Sequence, residues 1–283
     1  MSGRAAPGRD RALLVTALAL LSLPMVAAYL WLLLASFGRG HELTWGIFPT
    51  AYTTDNWRFL WDPGAAGRDL PSVWLAARNT ALLALSIMCL DVALATNAGY
   101  VFSRWSFRGR GPILAFVMVL HAFPSVTLLV SIFIVLLHMG LLGSLAGVVL
   151  VKVALQLPFS IFVMKGFFDA VPWESEMSAL MDGCTRIGAY RRVILPQVMP
   201  GITAIALFSF LEGWKEFLFV FAFTFDKSSW TLSLYLQSIL SRGSGAQYGL
   251  LAAVAVFYML PVVLFFVFAQ KHLTRVQLGG VKG

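Results

Sequence analysis

Five charged side chains fall inside long apolar runs of this sequence: Asp91, Lys152, Glu212, Lys215 and Glu216. Ionised groups are costly in a lipid core, and they usually turn toward the protein interior or a watery path. Glu212 lies three and four residues before Lys215 and Glu216, so on a helix it neighbours both. Two uses fit this pattern. The charges can pair, Glu212 with Lys215 for example, into a buried network that fixes helix packing, or they can line a path for a hydroxyl-rich solute. Trp214, Phe217, Phe221 and Phe223 stand beside them; such rings stack on sugars, and they also fill membrane helices generally. Other chemistry has little to work with. His41, His121, His138 and His272 are scattered, and Cys89 and Cys184 lack metal-ligand spacing. The phosphate-binding pattern G-x-x-x-x-G-K-[ST] does not occur, so no nucleotide, cofactor or metal is expected on this chain.

A second constellation lies between residues 169 and 196. Pro172 suits the first turn of a helix, where its missing N–H has no helical partner. Glu174 and Glu176 bring negative charge to the positive helix end. Met177, Leu180, Met181, Cys184 and Ile187 recur at helical steps and share one face. Asp182 and Gly183 read as a break. A second short helix is expected over Thr185–Leu195, carrying Arg191 and Arg192 and ended by Pro196. An apolar stripe on such a helix pair needs a cover: the chain's own helices, the membrane interface, or a soluble partner.

The elements that must position these groups are membrane spans. Of 283 residues, 59% are hydrophobic and 12% charged, against about 25% charged in soluble domains. A bilayer core takes about 20 apolar residues in a helix, and six such segments are expected near 12–36, 74–102, 112–137, 143–167, 200–224 and 248–270. The first is too long for a signal-peptide core and is read as a retained span. The net charge of +8 is spread in short clusters between apolar runs, which suits membrane topology rather than nucleic acid. Lys and Arg concentrate on the side of both termini, including Arg104, Arg108, Arg110, Arg186, Arg191 and Arg192. That bias puts both termini in the cytoplasm. The expected organisation is a cytoplasmic N-terminus over 1–11, a first transmembrane helix and extracytoplasmic loop over 12–73, a transmembrane domain over 74–271, and a cytoplasmic tail over 272–283. A polar extracytoplasmic loop is expected between 225 and 247.

The 169–196 stretch resembles the signature of bacterial ABC importer permeases, roughly E-E-A-A, two residues, D-G-A, then a spacer before I-x-L-P and P. Glu176, Ala179, Asp182, Gly183, Leu195, Pro196 and Pro200 match; Met177 stands where the eponymous Glu is usual, and Ser178 replaces an Ala. In order along the chain, further pieces are similar to the family: Asn79-Thr80, Gly99-Tyr100 through Arg104 to Gly109, Pro124, Leu157-Pro158-Phe159, Trp214-Lys215-Glu216-Phe217 and the ending Gly279 to Gly283. Among such permeases the chain resembles the smaller subunit of maltose-type carbohydrate importers. The resemblance implies an all-α type I importer fold with about six transmembrane helices and a cytoplasmic coupling helix. It implies a second homologous permease, two ATPase subunits that hold ATP and Mg, an extracytoplasmic solute-binding protein, and a sugar or oligosaccharide as cargo. The coupling residues would be Glu174, Glu176, Met177, Ala179, Met181, Asp182, Gly183 and Pro196. The path residues would be Asp91, Pro124, Glu212, Trp214, Lys215 and Glu216. A permease for a phosphorylated polyol is the nearest alternative. A secondary transporter is a more distant one, since such folds tend to carry internal repeats and none is evident.

Overall fold

The computed structural model describes residues 8–39, 48–49, 51–241 and 247–273. Its long helices follow the apolar runs. Helix α1 (Gly8–Ala35), α2 (Val73–Arg104), α5 (Leu145–Asp169) and α12 (Tyr248–Leu273) are each long and apolar enough to cross a membrane, and counting the bent pairs Arg110–His121 with Ser125–His138 and Arg186–Gln197 with Met199–Trp214 as one span each gives up to six spans among the described residues. Of the most apolar stretch of α1, none is buried. A helix that is apolar on every side without a protein cover is suited to lipid.

The two expected spans that proved broken are informative. The segment expected at 112–137 is α3 (Arg110–His121), a 3-10 turn over Ser125–Leu128 and α4 (Leu129–His138), bent by 91°. Pro124 explains the break: it adopts an extended conformation (ψ 122°) and has no N–H to donate. The segment expected at 200–224 is α9 (Met199–Trp214) followed by a short α10 (Leu218–Phe223). The break at Lys215–Phe217 needs no Pro or Gly. There the Glu216 carboxylate turns back and accepts the Phe219 backbone N–H at 2.8 Å. In the 225–247 segment, a 3-10 turn over Lys227–Ser229 and helix α11 (Leu232–Leu240) replace the expected plain loop. Asn79 fixes its start, its amide donating to the carbonyls of Ser228 (2.7 Å) and Trp230 (3.0 Å).

The chain divides into two compact units. The smaller comprises residues 1–69 and 236–259. There Asn56 donates to the carbonyls of Ser36 and Gly38, while Trp57 and Phe59 join Phe37 and Phe257 in a run of ring contacts.

The larger unit, residues 70–235 and 260–283, is built on α2, which packs along both α5 and α9. Two glycines permit this closeness. A Cβ on Gly99 would sit 2.7 Å from the Met164 Cβ of α5, and one on Gly213 2.7 Å from the Ala84 Cα of α2. Small residues at such crossings bring membrane helices into contact without a hydrophobic driving force between them. One apolar core gathers Leu83, Ile87, Val148, Phe219, Val220 and Phe223. A second, around the other end of α2, gathers Ala95, Tyr100, Met164, Phe168, Ile194 and Ile205.

Candidate functional site

Within the larger unit, the bend after α3 and the facing sides of α5 and α9 enclose a cavity of about 490 Å³. Leu120, Phe123, Leu128, Leu155 and Pro158 form much of its wall, and His121, Ser125, Lys152, Gln156 and Glu212 put polar groups into it. A mostly apolar concavity with a few converging polar groups is the general form of a small-molecule site.

The charges are not independent. The Lys152 ammonium of α5 lies 2.8 Å from the Glu216 carboxylate and 3.6 Å from that of Glu212, whose other oxygen is 2.7 Å from Lys215 Nζ. Glu216 is buried, Lys152 and Glu212 are half-buried, and Lys215 is exposed. Glu212 and Lys215 therefore pair as their spacing suggested. The larger link, Lys152 across to Glu216, joins α5 to the break between α9 and α10, which sequence spacing alone does not bring together. Its signal was present all the same: a lone cation, Lys152, in one apolar run and two anions, Glu212 and Glu216, in another. Two members of this network, Lys152 and Glu212, also line the cavity, so packing and lining share these residues. The His121 Nδ1–H donates to the Leu155 carbonyl (3.1 Å) and the ring stacks on Phe159, which satisfies one ring nitrogen and leaves the ring on the cavity wall.

Other sequence-selected residues lie elsewhere. Asp91 is fully buried and accepts hydrogen bonds from Ser160 of α5 and Ser209 of α9, both at 2.5 Å. It ties the three central helices together rather than facing the cavity. Neither serine was singled out, because a lone Ser in an apolar helix carries no pattern. Trp214 is buried against Phe210 and is not part of the cavity wall. Pro124 is exposed and acts through the bend it makes.

The second constellation forms two helical segments. Helix α6 (Trp173–Met181) has Pro172 at its N-cap, one position earlier than expected. At its far end Gly183 adopts φ +88°, with the Cys184 N–H bonded to the Ala179 carbonyl and the Gly183 N–H to that of Leu180. This is the glycine-dependent C-cap in which orphan carbonyls are satisfied by a left-handed residue. Among the described residues no heavy atom lies within 4 Å of a Cβ built on Gly183, so the backbone angle, not close approach, calls for glycine. Thr185 caps the next segment by accepting the Gly188 N–H. That segment runs as α7 (Arg186–Ala189), a π turn (Tyr190–Ile194) and α8 (Leu195–Gln197). Pro196 does not end it as expected, because it sits in the first turn of α8, where no donor is required. Met181 (88% exposed) and Ile187 (67%) project from this pair, and Met177 is half-buried. Glu174 and Asp182 are exposed, whereas Ala179 and Glu176 are buried. The expected tail motif Gly279 to Gly283 lies outside the described residues.

Comparison with known proteins agrees with this arrangement. The family described as binding-protein-dependent transport system inner membrane component matches residues 92–277. The sulfoquinovosyl glycerol transport system permease protein SmoH of Agrobacterium fabrum is 31% identical over 90% of this chain and 88% of its own. The maltodextrin transport system permease protein MdxG of Bacillus subtilis is 29% identical over 94% of both chains. In three dimensions the chain is similar to one in the crystal structure of a bacterial ABC transporter involved in the import of the acidic polysaccharide alginate. That likeness has a TM-score of 0.74 at 20% identity, over 96% of this chain and 99% of that one. The family match spans both the coupling-type loop and the cavity helices α5 and α9, and the chain belongs to the binding-protein-dependent transport system inner membrane components, the permeases of ABC importers.

Proposed function

We propose that this permease, with a second homologous permease, forms the translocation path for an uncharged sugar or oligosaccharide. An extracytoplasmic solute-binding protein delivers the cargo, and two ATPase subunits holding ATP and Mg supply the work. The observation that carries the choice of cargo is the cavity's balanced charge. Its wall carries one cation and one anion, Lys152 and Glu212, which pair with each other and, outside the lining, with Glu216 and Lys215, while Ser125 and Gln156 offer neutral donors and acceptors beside Phe123 and Pro158. Hydroxyls can exchange hydrogen bonds with such a wall without leaving a charge unpaired. A phosphorylated polyol would meet the Glu212 carboxylate, with Lys152 already engaged by Glu212 and Glu216. The relatives' printed substrates, maltodextrin and the anionic sulfoquinovosyl glycerol among them, support a sugar-containing cargo, and its lack of charge rests on the cavity alone.

The loop over 169–196 would dock on the ATPase through Met181, Ile187 and Met177, whose apolar side chains are available on its outer side. The Lys and Arg bias supports placing this loop and both termini in the cytoplasm. Alternating access would follow as the ATPase moves the loop and the loop moves the helices. The test is to purify the chain with its co-expressed neighbours and screen the copurifying binding protein against neutral oligosaccharides, uronates and phosphorylated polyols. Retention of a neutral sugar, with ATP-dependent uptake of that sugar by the reconstituted complex, is expected. Retention of a phosphorylated polyol alone would overturn the cargo assignment.

A further inference from the structure

Glu176 belongs to the coupling-type loop, yet it faces inward. Its carboxylate is 1% exposed and receives two groups from the end of α2. The Tyr100 hydroxyl donates to Oε1 at 2.7 Å. The Arg104 Nε lies 3.2 Å from Oε2, too far off line for a hydrogen bond, so this half of the contact is ionic. Arg104 also donates to the Val171 carbonyl at 2.9 Å and lies 5.5 Å from the Trp173 ring centroid. The Tyr100 ring is wedged between Phe168 of α5 and Tyr190 of the π turn, with centroids 5.5 and 4.5 Å away. A buried carboxylate is stable only with such partners, and α6, at nine residues, is too short to hold a fixed direction by helical propensity alone.

We propose that Tyr100, Arg104 and Glu176 are positioning residues that lock α6 onto the end of α2, so that loop and helix move as one body. The proposal rests on the reading that residues 169–196 meet the ATPase. Without the lock, a push on α6 would be absorbed at Ala170–Pro172, the short link from α5. With it, the push passes directly to α2, a helix of 32 residues. Asp91 on α2 in turn holds Ser160 of α5 and Ser209 of α9, the two helices that carry Lys152 and Glu212 into the cavity wall. This also gives one physical reason for two motifs far apart in sequence, the Gly99-to-Arg104 stretch and the Glu of the loop, to occur in the same chain.

The test uses Glu176→Gln, Tyr100→Phe and the conservative Arg104→Lys in two settings. In the purified full-length chain, hydrogen exchange of the backbone amides of 173–181 should quicken by about tenfold in Glu176→Gln, while 145–165 keeps its rate. In the complex reconstituted in liposomes, ATP turnover should stay within about twofold. Uptake per ATP, read with radiolabelled maltotriose or diacetylchitobiose, should fall by about tenfold, the size of a typical coupling between sites. Arg104→Lys keeps the charge and should retain part of the coupling, because it loses the reach to Val171. Unchanged exchange over 173–181, or uptake and ATP turnover falling in equal proportion, would overturn the lock. Met181→Asp serves as the control for docking. If that variant still binds the ATPase, the docking reading fails, and the exchange measurement decides the lock by itself.

Discussion

Lys152 and Glu216 are the residues where packing and function meet most closely. Removing one member of a buried ion pair strands the other, at a cost of about 3–5 kcal/mol, whereas removing both charges together costs far less. Lys152→Met should therefore lower the unfolding temperature in detergent sharply, and Lys152→Met with Glu216→Gln should recover most of the loss. Equal damage from the single and double variants would mean the pair contributes little. Asp91 obeys a different logic. Both of its hydrogen bonds are to serine hydroxyls, so Asp91→Asn keeps an acceptor, while Asp91→Leu leaves two buried hydroxyls seeking partners at about 1–3 kcal/mol each. Thermal unfolding should rank them wild type, Asn, then Leu. At this scale the sequence was legible in part. Charges isolated in apolar runs identified Asp91, Lys152, Glu212, Lys215 and Glu216 as special. It did not reveal that Lys152 reaches Glu216, or that Asp91 reaches two serines, because those contacts depend on helix rotation rather than on spacing along the chain.

The long helices could be read from hydrophobic runs, since a span is a property of composition over many residues. Their interruptions were harder to see. Pro124 carried a visible cause for the bend after α3. The break at Lys215–Phe217 carried none, because its cause is a side chain folding back onto the Phe219 N–H. Glu176 was placed correctly on α6, but its inward direction depends on α2 arriving beside it. The contact between α2 and α9 gives a prediction proper to elements. A methyl group on Gly213 would press on the Ala84 backbone, and the helices must part to admit it. Gly213→Ala should destabilise the purified chain by about 1–3 kcal/mol, and Gly213→Ala with Ala84→Gly should relieve little of it, because the second change removes only the Ala84 Cβ at 3.4 Å and keeps the Cα at 2.7 Å. Insensitivity of the single variant to thermal unfolding would refute the close approach. The C-cap of α6 sets a second expectation. Gly183→Ala should cost about 1–2 kcal/mol through its left-handed backbone alone, seen as faster hydrogen exchange at Cys184 and Gly183's neighbours rather than as a lost contact.

For the molecule as a whole, the proposed orientation makes a direct prediction. Ser228 and Ser106 are both exposed, and the charge bias places them on opposite sides of the membrane. A cysteine at Ser228 should react with an impermeant maleimide added outside intact cells, and one at Ser106 only after permeabilisation; the reverse would invert the chain. The family and its fold were legible because ordered motif pieces spread over most of the sequence. The cavity was not, since its walls come from residues separated by about a hundred positions. That cavity has an electrical consequence. With both lysines and both glutamates ionised, the cluster of Lys152, Glu212, Lys215 and Glu216 sums to zero. A transmembrane voltage does work of about 2.3 kcal/mol per 100 mV on each uncompensated charge carried across, and none on a balanced set that shifts together. Uptake of a neutral sugar by reconstituted complexes should then be indifferent to a potassium diffusion potential of either sign. Lys215→Met, which leaves one surplus negative charge at an exposed and tolerant position, should make the rate depend on voltage: the field would begin to steer a step that in the natural protein only ATP drives.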